Sequence, residues 1–150
     1  MARPLIRHIL TVVDGTDSSI AAARYAIQLA GTCRADLTAV GIVDTATLKH
    51  LLTTGIMVAA EMAEYEHELE GSGRKHLAYV ADLAGEHGVK AHTVLLKGAV
   101  HSAVLAEQKS SGADLIVIGA FRWTLCHRDQ AARERQLILD EAPCPVLVVR

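Results

Sequence analysis

The chain has 150 residues, 51% of them hydrophobic and 21% charged, with 15 Lys and Arg against 17 Asp and Glu for a formal charge of −2. That length fits one domain over residues 1–150, large enough to bury a core without disulfide or metal staples, and the composition excludes wholesale disorder. A near-neutral charge and only 3% aromatic residues exclude both the basic footprint and the base-stacking platform of a nucleic-acid binder.

The chain opens MARPLIRHILTVVDG. Its apolar run Ile9–Val13 is shorter than a signal-peptide core and stops at Asp14, so no export signal is expected. No stretch approaches the ~18 uninterrupted apolar residues of a membrane span. Three cysteines (Cys33, Cys126, Cys144), odd in number and without CxxC spacing, fit a reducing cytoplasm.

Ile6–Val13 reads as a first strand, followed by an Asp14-Gly15 turn. A helix follows, capped by Asp17 or Ser18, carrying Ile20, Tyr25, Ile27 and Leu29 and stopping near Gly31. Leu37–Val43 is a second strand, and Asp44–Gly55 the longest irregular connection. Val58, Met62, Tyr65 and Leu69 then mark a helical stripe that Val80 and Leu83 resume. Gly71 and Gly73 between them cost about 2 kcal/mol against alanine, which predicts a bend or break. A third strand over Val89–Leu96, a helix over 100–110, a strand over Leu115–Ile118, a helix over 130–141 and a strand over Val146–Val149 complete the chain.

Strands one, four and five are nearly continuous in Val, Ile and Leu, as strands covered on both faces are. The alternation β-α-β-α-β-α-β-α-β predicts an α/β fold: a parallel sheet, helices on both faces, right-handed crossovers. Ligands of such sheets bind beyond the carboxyl ends of strands, at the point where the winding reverses. Val13-Asp14 onward, Val43-Asp44 and Gly119 onward occupy that edge.

Asp14 reads either as a ligand contact or as a turn former with Gly15, and Asp17 as a helix cap. Val43 covers a ligand face or belongs to the core. Arg122, Arg128, Arg133 and Arg135 form the one basic cluster, offset by Asp129 and Glu134. It is a solvated face, or an anion site whose guanidinium forks grip phosphate oxygens. Phe121 and Trp123 beside it either plug a pocket or face a partner protein. Glu61, Glu64, Glu66, Glu68 and Glu70 give the long helix an acidic side, solvated or partner-facing. The eight histidines show no metal-ligand spacing, no metal site is expected, and no catalytic motif is present. The cysteines read as small buried apolar residues, with Cys126 the one placed for activation by neighbouring arginines.

HILTVVDGTDSS (8–19), GADLIVIGA (112–120) and APCPVLVVR (142–150) together resemble the universal stress protein family, in order and over the whole chain. The resemblance implies a Rossmann-like, adenine-nucleotide alpha hydrolase-like fold with a five-stranded parallel sheet of order 3-2-1-4-5, usually in homodimers. It also implies an aspartate, here Asp14, near adenine and ribose. One branch of the family binds ATP through G-x2-G-x9-G-[ST], in which glycines let the backbone approach phosphate and a helix offers its positive end. In this chain the four positions are Gly119, Arg122, Ala132 and Arg133, so one of four is kept. The stretch resembles the branch that lacks these glycines and does not bind ATP.

The expected function is therefore a non-enzymatic stress-response domain acting through partner or small-molecule binding, without a cofactor. The alternative is an ATP- or nucleotide-binding sensor with at most slow hydrolysis, or an anion site on Arg122 and Arg133. Val13, Asp14, Val43, Gly119, Arg122 and Arg133 are the candidate nucleotide-site residues. In the order 3-2-1-4-5 the last strand is an edge, and Val146, Leu147, Val148 and Val149 form the expected homodimer interface, because so apolar an edge invites pairing.

Overall fold

Successive side chains of a strand point to opposite faces, so a continuous aliphatic strand needs a helical layer on each side. The computed structural model, which describes residues 3–120 and 128–150, has this arrangement. The elements run β1 (His8–Val12), α1 (Asp17–Cys33), β2 (Asp36–Asp44), α2 (Thr45–Thr53), α3 (Ala59–Glu86), β3 (Ala91–Gly98), α4 (Val100–Ser111), β4 (Leu115–Gly119), α5 (Arg128–Glu141) and β5 (Val146–Val149). The sheet is parallel in every pairing, with order β3-β2-β1-β4-β5.

One core lies between one sheet face and helices α1 and α3: Ile9, Val13, Leu37, Ala39, Leu115 and Val117 meet Ala22, Ala26, Leu77 and Val80. Residues one position away, Leu10, Val40, Ile116 and Ile118, point through the sheet to Val104 of α4 and Ile138 of α5. Strand β5 divides in the same way. Leu147 and Val149 pack against the first core, Val146 and Val148 against the second. Its apolarity thus serves both cores, and its free edge is backbone.

Four local expectations are corrected. Neither Asp17 nor Ser18 caps α1. Thr16 does, its side chain accepting from the Ser19 amide, while Asp17 stands in the first turn. The helix also passes through Gly31 and ends at Arg34, which adopts φ 54° and donates its amide to the Ala30 carbonyl. The Asp44–Gly55 connection contains α2: Asp44 caps it, accepting from the Thr47 amide at 3.0 Å and the Thr47 hydroxyl at 2.7 Å. Finally, α3 runs unbroken over 28 residues. A Cβ on Gly73 would lie 2.8 Å from Leu95 Cδ1, so glycine there lets the helix settle onto β3.

Candidate functional site

At the carboxyl end of β1 the Val13 amide donates to the Val40 carbonyl at 2.8 Å, extending the sheet contact by one residue before the chain turns. Asp14 directs that turn. Its Oδ1 accepts from the Thr16 amide at 2.9 Å and the Thr16 hydroxyl at 2.6 Å. Its own amide donates to Ser19 Oγ, and that hydroxyl donates to the Thr16 carbonyl. Asp14 is exposed, and among the described residues its Oδ2 carries no partner. Gly15 has φ 83°, and an added Cβ would project into the imidazole of His76, which reaches the turn from α3.

Gly119 ends β4 directly against the start of α1. A Cβ there would lie 2.6 Å from Ser18 C and O and 2.9 Å from the Ser19 amide nitrogen. Strand order places β1 beside β4, so the Asp14 turn and Gly119 flank the point where the winding reverses. Val13 and Val43 are each 2% exposed and belong to the core, which leaves their backbone rather than their side chains for a ligand.

Helix α5 carries Arg133, exposed, and Glu134 beside it. Glu134 Oε2 accepts from the His101 amide at 2.8 Å and faces its Nδ1 at 2.6 Å. His101 lies in the first turn of α4, so a carboxylate from a neighbouring helix serves the open amide end that Ala99 leaves without a side-chain cap. Because α4 follows β3, this contact sets the Arg133 turn of α5 level with the strands' carboxyl ends. Arg135 is half-buried and engaged. Arg122, Phe121, Trp123, Cys126 and the side chain of Arg128 lie outside the described residues, as does the expectation that Arg122 with Phe121 or Trp123 fills a phosphate cleft.

The structure therefore brings Asp14, Gly119 and Arg133 to one edge of the sheet and assigns Val13 and Val43 to its interior. Reading by residue type missed Thr16, Ser19, His76 and the His101–Glu134 pair. The signal for Thr16 was present, a hydroxyl three residues before Ser19, but Asp17 and Ser18 offered equally good cap chemistry. His76 and Glu134 had no signal, since each acts on a segment far away in sequence. Among the described residues no group of three or more His, Cys, Asp or Glu is arranged to hold a metal, and no helix is long and apolar enough to cross a membrane. Burial, and then the nearby Asp114 carboxylate, push the Cys144 thiol up.

Comparison with known proteins agrees with this geometry. A universal stress protein of Methanocaldococcus jannaschii is 30% identical over 146 residues, covering 97% of this chain and 83% of that one. A universal stress protein family member from Burkholderia pseudomallei superposes with a TM-score of 0.77 at 22% identity, over 99% of this chain and 98% of that one. A universal stress protein solved in complex with cAMP superposes at 0.66 with 19% identity, over 97% of each chain. The family profile itself runs from residue 5 to residue 150, through the Asp14 turn, the Gly119 strand end and the last strand alike. This chain belongs to the universal stress protein family.

Proposed function

We propose that this chain is a non-catalytic stress-response protein of the cytoplasm that acts by binding, through the carboxyl edge of its sheet, without turning over ATP. The observation that carries this reading is Arg133. It is an exposed guanidinium on α5 at the position where the ATP-binding branch has a phosphate-gripping hydroxyl, and Glu134 beside it is committed to α4. Two carboxylates, Asp14 and Asp17, stand at the start of α1, so that helix end repels a polyphosphate. Isothermal titration with ATP and ADP, with and without magnesium, tests the reading. ATP binding weaker than about 1 mM, which is about 4 kcal/mol, with no phosphate release, is expected. Saturation at micromolar ATP with phosphate release overturns it.

A second reading is favoured by Asp14 Oδ2 and by the relative holding cAMP: a nucleoside monophosphate whose hydroxyls or amine donate to that oxygen. AMP and cAMP belong in the same titration. Asp14→Asn is expected to weaken such binding about tenfold, and Arg122→Ala with Arg133→Ala to weaken it further. Affinity unchanged in both variants removes this reading.

The proposed assembly is a homodimer through β5. In its pairing with β4, the Ile116 amide donates to the Pro145 carbonyl and the Ala120 amide to the Val149 carbonyl. The alternation of a parallel ladder then turns the amides of Val146 and Val148 outward, free to pair with a second copy under two-fold symmetry. Val148→Pro removes one of those donors. Light scattering is expected to give a dimer for the native protein and a monomer for the variant. A monomeric native protein, or a dimer indifferent to the substitution, shows that β5 is not the mating edge.

A further inference from the structure

The outer end of α3, with the connection from α2, exposes apolar side chains that no described residue covers. Ile56 is 68% exposed, Val58 59%, and Leu52 and Tyr65 42% each. The Ile56 and Met57 amides both donate to the Leu51 carbonyl, which fixes this connection against the end of α2. Helix α3 is tied to β3 lower down, by Gly73 against Leu95 and by Lys97 reaching Glu66 and Glu70. Lys97 is the penultimate residue of β3, so residues 59–65 continue about 10 Å beyond the sheet at 1.5 Å per residue. The apolar cluster thus sits on a projecting tip.

The charge around that tip is one-sided. No Lys or Arg occurs between Lys49 and Arg74, while five glutamates do. Lys97 pairs with Glu66 and Glu70, and its hydrogen bond holds the Glu70 carboxyl below the usual carboxylate range. Glu61, Glu64 and Glu68 are exposed and make no ion pair among the described residues. They stand at i, i+3 and i+7, with Tyr65 at i+4 and Val58 one turn earlier, so acids and apolar groups share one helical stripe.

We infer that this tip is a docking surface for a basic amphipathic helix of a partner protein, the apolar face of which covers Ile56, Val58 and Tyr65 while its Lys or Arg residues pair with Glu61, Glu64 and Glu68. Helix-in-groove recognition of this kind needs an apolar anchor set and a complementary rim, and both are present. Two-fold pairing with a second copy sets the glutamate stripe against itself, and an anionic lipid surface repels it, so neither is the occupant. The surface is separate from the Asp14 and Gly119 edge and does not depend on a nucleotide binding there.

The test uses the full chain and a synthetic helix of about 18 residues, some five turns, with leucine on one face and lysine on the other. A control peptide carries glutamate in place of lysine. Fluorescence anisotropy is expected to show the basic peptide binding at least about tenfold more tightly than the control. Amide shift changes are expected within residues 52–68. Glu61→Lys with Glu64→Lys and Glu68→Lys, and separately Ile56→Ser with Val58→Ser, are each expected to weaken binding about tenfold with an unchanged melting curve. If either variant melts early, Glu→Gln at the same three positions replaces it, with the same expected direction. Equal binding of the two peptides, shifts centred elsewhere, or unchanged affinity in the variants overturns the inference. So does self-association of the native chain that the lysine variant abolishes.

Discussion

Gly119→Ala is expected to destabilise the protein by about 3 kcal/mol, a fall in melting temperature of about 6–12 °C for a chain of this size. The added methyl meets backbone, 2.6 Å from Ser18 C and O, and backbone at the start of a helix cannot swing aside as a side-chain tip does. Either β4 withdraws or the first turn of α1 lifts, and the Asp14–Thr16–Ser19 hydrogen bonds lie in that first turn. Gly71→Ala is the matched control. It stands inside α3 with nothing within 4 Å of the new methyl, so the same substitution is expected to gain about 0.5–1 kcal/mol from helix propensity. Thermal melts of the two variants check opposite signs for one chemical change. A Gly119→Ala protein as stable as the native chain would show that α1 does not rest on the end of β4. The result also bears on function, because a glycine held for packing is retained whether or not a phosphate passes over it.

Ile116→Ala is expected to cost about 3–4 kcal/mol, enough to lower the melting temperature by about 10 °C. Ile116 is wholly buried, in register between Leu10 of β1 and Val146 of β5, and packs in the core shared with Val104 and Ile138. Truncation leaves a cavity bounded by strands that cannot approach each other, since their spacing is set by the hydrogen-bond ladder. Leu139→Ala, on the same helix as Ile138 but 37% exposed, is expected to stay within about 0.5 kcal/mol. Urea unfolding of the pair checks the contrast. Equal losses would mean that α5 does not pack as described.

The sheet was legible because its strands carry their burial in their composition. β1, β4 and β5 are aliphatic at successive positions since both faces are covered, and the two cores sort those positions into alternating sets. The helices were legible where a stripe was long. α2 was not, although Asp44 and Thr47 have the spacing of a side-chain cap, because nine residues with one buried side chain, Leu48, leave no periodicity to read. At the candidate site, Asp14 and Gly119 could be placed from order alone. What each does there could not be, since Asp14 is occupied by Thr16 and Gly119 by the backbone of Ser18, neighbours that composition does not name.

By itself the sequence determined the α/β class, the positions of all five strands, the family and the edge of the sheet where ligands are sought. The class, the strands and the edge follow from local periodicity and from short segments whose residues must be apolar on both faces, while the family follows from the resemblance carried by residues 8–19, 112–120 and 142–150. Only the tertiary structure decided that α3 continues unbroken through Gly71 and Gly73, that Gly119 is required by α1, that Glu134 serves α4, and that Lys97 takes Glu66 and Glu70 while Glu61, Glu64 and Glu68 make no ion pair among the described residues. Each of these depends on what a distant segment brings within a few ångströms, and local periodicity carries no information about that.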